Sequence, residues 1–138
     1  MKVRDLRPRP IVSLTLGDTL ADAAKALTEE DIGALAVFDS HGVRGVLSER
    51  DLVRAIADDA DFAESEIVEY MTRAPVLIDQ EMSVDDAILQ MYEHGVRHLI
   101  VTDDAEPSGM ISVRDVLGAL SLREPVASNP SPREAARP

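Results

Sequence analysis

The chain has no cysteine and no tryptophan, and its 138 residues include only two tyrosines and two phenylalanines. Without cysteine there can be no disulfide, no thiolate metal site and no cysteine nucleophile. With aromatics at 3%, the core must be aliphatic, built from Val, Ile, Leu, Ala and Met. Long apolar runs are also missing. The longest is ALAVF, residues 34 to 38, far short of the roughly 20 residues of a membrane span. The opening MKVRDLRPRP carries charge but no apolar stretch, so it does not read as a secretory signal. No membrane partner is expected, and a cysteine-free chain suits a reducing cytoplasm.

Positive charge is scarce too. Fourteen Lys and Arg oppose 26 Asp and Glu, for a formal net charge of −12. Such a surface repels phosphate backbones and excludes general nucleic-acid binding. It also repels small nucleotides at long range, so a nucleotide site would need local cations. No His or carboxylate pair stands at metal-ligand spacing. No nucleophile elbow, Walker loop or poised acid–base pair is present, so no enzyme is expected.

What is present is a repeat. GVLSERDLVRAI, 45 to 56, returns as GMISVRDVLGAL, 109 to 120. Residues 18 to 56 align with 82 to 120 without a gap, matching Asp22 to Asp86, Leu35 to Leu99, Gly45 to Gly109, Ser48 to Ser112 and Asp51 to Asp115. Upstream, Pro10-Ile11-Val12 pairs with Pro75-Val76-Leu77. Each repeat predicts a short strand after the proline (11 to 14; 76 to 78) and a helix capped by Thr19 or Ser83. Leu20, Ala23, Ala24 and Leu27 share one face of the first such helix; Val84, Ala87, Ile88 and Met91 share one face of the second. Two strands joined by the turns DSHG and DDAEP follow. A final helix runs from about Glu49 to Asp58, and from about Val113 to Leu122. The expected fold is α/β of the α+β type: repeat one over 1–60, repeat two over 61–123, each β-α-β-β-α. The charged stretch 58 to 66 reads as a solvated linker, and 124–138 as a disordered proline-rich tail.

Ser48-x-x-Asp51 is a capping-box pattern, as are Thr19-x-x-Asp22 and Ser83-x-x-Asp86. Its setting sets it apart. It follows a buried strand opening with Gly45, where something can approach the backbone. A strand end feeding a helix N-terminus also offers free amides to an anion, and a carboxylate there can accept ribose hydroxyls.

Twin β-α-β-β-α repeats, each ending in glycine, two apolar residues, Ser, two more and Asp, resemble the tandem CBS domain, named for cystathionine β-synthase. The lead-in Met71-Thr72, then Pro75-Val76, fits as well. The resemblance covers residues 1 to about 122. It implies two repeats packed about a pseudo-twofold axis, leaving two clefts for AMP, ADP, ATP or S-adenosylmethionine as regulatory ligands, with no cofactor required. It implies ligand contacts from Ser48, Asp51, Ser112 and Asp115, and from the lead-ins Pro10, Ile11, Pro75 and Val76. The family commonly has a proline before the valine of the second strand, where this chain has Ala36 and Ile100.

Arg97 and His98 open a strand of repeat two, a position where basic residues of the family often meet phosphates. Pseudo-twofold packing implies that they share a cleft with Ser48 and Asp51. Ser112 and Asp115 would then face Gly33 and Ala34, which bring no charge, so the sites should be unequal. Leu52, Val53, Ile56, Val116, Leu117, Leu120 and Leu122 are more apolar surface than so small a unit can bury, and the resemblance suggests a homodimer built on them. Two functions stay open: a module that senses adenosine nucleotides and signals to a partner protein in trans, or a dimeric interaction module with no small ligand.

Overall fold

The computed structural model describes residues 1–123; the expected disorder of 124–138 lies outside the described residues. Repeat one contributes β1 (Ser13–Thr15), α1 (Leu20–Glu30), β2 (Ala34–Asp39), β3 (Gly42–Ser48) and α2 (Glu49–Ala57). Then come β4 (Thr72–Arg73), β5 (Leu77–Asp79), α3 (Val84–His94), β6 (His98–Asp103), β7 (Glu106–Ser112) and α4 (Val113–Arg123). Short 3-10 turns at Val3–Leu6 and Ile67–Glu69 precede each set. The expected β-α-β-β-α pattern is present twice.

The strands form two sheets, ordered β1-β2-β3-β4 and β5-β6-β7. The registers repeat. β1 runs parallel to β2 with Ser13 opposite Ala36, and β5 runs parallel to β6 with Leu77 opposite Ile100. Ala34 lies opposite Ser48 and His98 opposite Ser112, and both hairpins slip register at the same place, after Val37 and after Val101. β4 was not expected; it adds to the edge of β3.

The lead-ins are exchanged. Val3 is fully buried in the core of the second repeat, with Val84, Met91, Leu99, Val101 and Ile111. Ile67 is fully buried in the core of the first, with Leu20, Leu27, Leu35 and Leu47. The backbone follows: Ile67 N donates to Asp18 O at 2.9 Å and Val3 N to Met82 O at 2.8 Å. Helix N-termini leave amides without partners, and the exchange supplies them. Leu20 N and Ala21 N donate to the carbonyls of Ser65 and Phe62 at 3.0 and 2.9 Å. Stretch 58–66 keeps all its carboxylates exposed, while its backbone also caps α1 and leads Ile67 into the core.

Gly45 and Gly109 owe their identity to this crossing. A Cβ on Gly45 would lie 2.6 Å from Thr72 O, and one on Gly109 would lie 2.8 Å from Pro8 Cβ. What approaches the backbone at Gly45 is the other repeat's lead-in. Between the sheets, Ala34, Ala36, Ile100 and Met110 form a third cluster with Ile11, Phe38, Val43 and Val46. Ala36 and Ile100, at the positions where the resemblance implies a proline, are the fully buried centre of the contact between repeats. The two halves thus pack about an approximate twofold axis.

One helix face differs from expectation. Leu20, Ala23 and Leu27 of α1 are buried, as are Val84, Ala87 and Met91 of α3, but Ile88 is 36% exposed. It lies one helical step beyond Ala87, at the edge of the buried stripe.

Gly45→Ala and Gly109→Ala are each expected to lower unfolding free energy by about 1–3 kcal/mol, the usual cost of overpacking. Gly118→Ala, with nothing within 4 Å of an added Cβ, should be neutral or stabilise α4 by up to about 1 kcal/mol. Urea denaturation of the three variants checks this; equal effects would contradict it.

Candidate functional site

Ser48 caps α2. Its hydroxyl accepts from Asp51 N at 3.4 Å, and Asp51 Oδ2 accepts from Ser48 N at 2.8 Å and from the Ser48 hydroxyl at 3.1 Å. The other oxygen, Oδ1, accepts from Arg54 Nη2 at 2.5 Å. Asp51 is only 5% exposed, and both its oxygens are engaged. The second corner has the same cap: Asp115 Oδ2 accepts from Ser112 N at 2.8 Å, and Ser112 Oγ accepts from Asp115 N at 3.2 Å. Asp115 is half-buried, and its Oδ1 has no partner among the described residues. So the capping reading of the motif is correct for both corners, and only Asp115 keeps an oxygen to offer.

The strand openings meet these corners. Glu49 N donates to Gly33 O at 3.0 Å, and Val113 N donates to Arg97 O at 2.9 Å. The His98 side chain crosses to repeat one; its Nε2 lies 3.1 Å from where a Gly33 Cβ would be, beside Glu49 Oε1. A larger residue at 33 would displace the imidazole. The backbone of Arg97 is held at the Ser112 corner, while the His98 side chain reaches Glu49, beside Ser48. Burial pushes its imidazole below its ordinary value, while the carboxylates of Glu49 and Asp115 pull upward and Arg97 lowers it further.

A continuous groove of about 1760 Å³ runs between the repeats. Of the ten expected site residues, nine line it: Pro10, Ser48, Asp51, Pro75, Val76, Arg97, His98, Ser112 and Asp115. Ile11 does not; it packs against the inter-sheet cluster instead. The groove also holds Arg7, Arg9, Arg50 and Arg114. The second mouth is therefore not without charge. The crossing lead-in brings Arg9 onto β7, where Arg9 N donates to Met110 O at 3.1 Å and Met110 N to Arg9 O at 2.9 Å. Arg7 and Arg9 were missed because their place at the groove depends on the exchange, which has no local sequence signal.

Five guanidiniums thus line the groove, and none forms an ion pair among the described residues. Elsewhere Lys2 and Arg4 pair with Glu81, Arg44 with Asp39 and Arg54 with Asp51. Five carboxylates share the groove, from Asp5, Asp31, Glu49, Asp51 and Asp115. Three of them accept from their own helix-cap amides. The groove is near neutral in a chain of net charge −12.

The family model described as CBS domain matches residues 3–58 and again 65–122. The chain belongs to the CBS-domain family. A 17.7 kDa uncharacterised protein of Acidianus ambivalens is 38% identical over 104 residues, 74% of this chain and 62% of that protein. The chain thus spans less than two thirds of that relative's length. Among solved structures, a CBS-domain protein from Burkholderia ambifaria superposes with a TM-score of 0.84 at 28% identity, covering 92% of this chain and 98% of that one. A CBS-domain protein from Pyrobaculum aerophilum, complexed with AMP, has a TM-score of 0.77 at 25% identity, covering 88% and 99%.

The His98 environment sets a pH dependence. Its folded pKa lies below the ordinary 6.5, so on acidification the unfolded chain takes up a proton first. Stability is then lost as pH falls through about 6.5, and the loss levels off below the folded pKa. His98→Gln should show a smaller drop in unfolding free energy between about pH 7.5 and about pH 5.5 than the unmodified protein. Parallel pH curves for the two would contradict this.

Proposed function

We propose that this CBS pair is a regulatory module that binds an adenosine nucleotide in the groove and signals to a partner protein in trans. The observation that carries it is the set of five guanidiniums without carboxylate partners in an otherwise acidic chain. Arg presents a planar donor fork suited to phosphate. Ser48, Ser112 and Asp115 lie at the same groove as candidate contacts for ribose, and Arg97 and His98 for phosphate; Asp51 could join them only by giving up Arg54. The AMP complex of the Pyrobaculum aerophilum relative supports the ligand class. The proposed location is the cytoplasm, where such nucleotides are abundant.

A second reading, a dimeric interaction module, is favoured by exposed apolar side chains on the final helices. Leu52 and Val116 are buried in their own cores and Leu120 packs on the second, so they do not contribute. Val53, Ile56 and Leu117 remain, at 63%, 64% and 58% exposure. The Leu122 side chain lies outside the described residues. We propose a homodimer through Val53, Ile56 and Leu117; it is compatible with either function.

A thermal-shift panel of AMP, ADP, ATP, S-adenosylmethionine and NADH tests the first reading. A ligand at about a hundred times its dissociation constant should add about 3 kcal/mol of apparent stability. A flat panel would leave the interaction reading. For the dimer, light scattering at tens of micromolar should give about twice the 15.0 kDa chain mass, and Ile56→Asp should return the chain mass. A 15.0 kDa particle for the unmodified protein would reject the dimer.

A further inference from the structure

We propose that residues 54 and 118 decide which corner of the groove admits the sugar of a nucleotide: Arg54 fills the first from within, and Gly118 leaves the second free. The proposal rests on the nucleotide reading and names what makes the two corners unequal.

The corners start out alike. Ser48 and Ser112 stand at matching registers, opposite Ala34 and His98. In each, the acid three residues on turns Oδ2 to the serine amide, at 2.8 Å. The other oxygen is the one left for a ribose hydroxyl. Arg54 follows Asp51 by three residues, so the two side chains are neighbours on the helix surface. Arg54 Nη2 donates to Asp51 Oδ1 at 2.5 Å and to Tyr70 O at 3.2 Å. Tyr70 belongs to the lead-in that carries Ile67 into the first core, and its hydroxyl donates to Asp58 Oδ2 at 3.1 Å. Asp58 N donates in turn to Arg54 O at 3.0 Å. The guanidinium is thus held by two acceptors on two segments, unlike a loose surface ion.

A carboxylate oxygen has room for two donors, so the ion pair alone would not shut the corner. Burial does. Asp51 is 5% exposed, which leaves a hydroxyl no approach to Oδ1 except in place of Arg54. That exchange is unfavourable. It trades a charge-assisted bond for one from a neutral donor and leaves a nearly buried carboxylate without its counter-charge.

The second corner lacks the arginine. Residue 118 aligns with residue 54 and is glycine. Asp115 is half-buried, and its Oδ1 has no partner among the described residues. A Cβ added at Gly118 meets nothing within 4 Å, so an arginine fits there, three residues from Asp115. The inequality therefore lies in one side chain and can be moved from one repeat to the other.

The test is calorimetry on the full chain with AMP and with 2′,3′-dideoxy-AMP, which lacks both ribose hydroxyls. Asp115→Asn and Gly118→Arg should each weaken AMP by at least about tenfold. Adding Arg54→Ala to Asp115→Asn should restore AMP binding through Asp51. A merely structural arginine would give no such rescue, because removing it could only loosen the fold. Dideoxy-AMP should show neither the losses nor the rescue. Absence of rescue, or an equal response of AMP and dideoxy-AMP to these variants, overturns the proposal. If AMP binds and none of the variants alters it, the nucleotide reading stands and this gate falls. If AMP binds neither the unmodified protein nor any variant, both fall.

Discussion

Neither repeat closes its own core. Val3 completes the second and Ile67 the first. Each such residue is worth about 1.5–3 kcal/mol in buried apolar surface, and both are supplied by chain that crosses from outside the repeat they fill. This exchange is the constraint on which the rest depends. It requires glycine at 45 and 109, because the crossing chain passes where a Cβ would be. It also holds the repeats at a fixed separation, so the direct contact between the sheets can be small. That contact rests on Ala34, Ala36, Ile100 and Met110. Short side chains at 34 and 36 let the sheets approach, and Ile100 fills what is left.

The groove follows from the same crossing. Its walls are strand openings and helix starts from both repeats, and the lead-ins lie along its edges. The repeat gives two similar corners that differ in detail. At the first, Arg54 on α2 takes the spare oxygen of Asp51. At the second, residue 118 of α4 is a glycine where the aligned position 54 is arginine, and Asp115 Oδ1 stays open. The cations differ as well. His98 crosses to Glu49 at the first corner, while the backbone of Arg9 pairs with Met110 on β7, the strand that leads to the second. One repeat pattern has thus produced two chemically distinct mouths.

Much of this was legible residue by residue. Thr19 with Asp22 and Ser48 with Asp51 form the capping boxes their spacing implied, because a cap involves only residues three apart. ALAVF and HLIV became central strands, since short apolar runs between turn formers fit little else. The approach of His98 to the Ser48 corner came from the resemblance and the repeat symmetry. Other features escaped for a common reason. Stretch 58–66 looks solvated by composition, yet its carbonyls cap a helix more than thirty residues earlier in the chain. Ile11 adjoins Pro10, which lines the groove, but its side chain packs against the inter-sheet cluster instead. Gly45 signals a close approach without saying what approaches.

By itself the sequence determined the repeat, the element order, the caps, the aliphatic core and the need for local cations in any nucleotide site. All of these rest on spacing, composition or short-range hydrogen bonds. Only the tertiary structure decided which core each lead-in completes and which arginines line the groove. Those outcomes depend on contacts between residues about forty to a hundred apart in the chain. No local pattern encodes such pairings, because they are selected by packing the whole molecule at once.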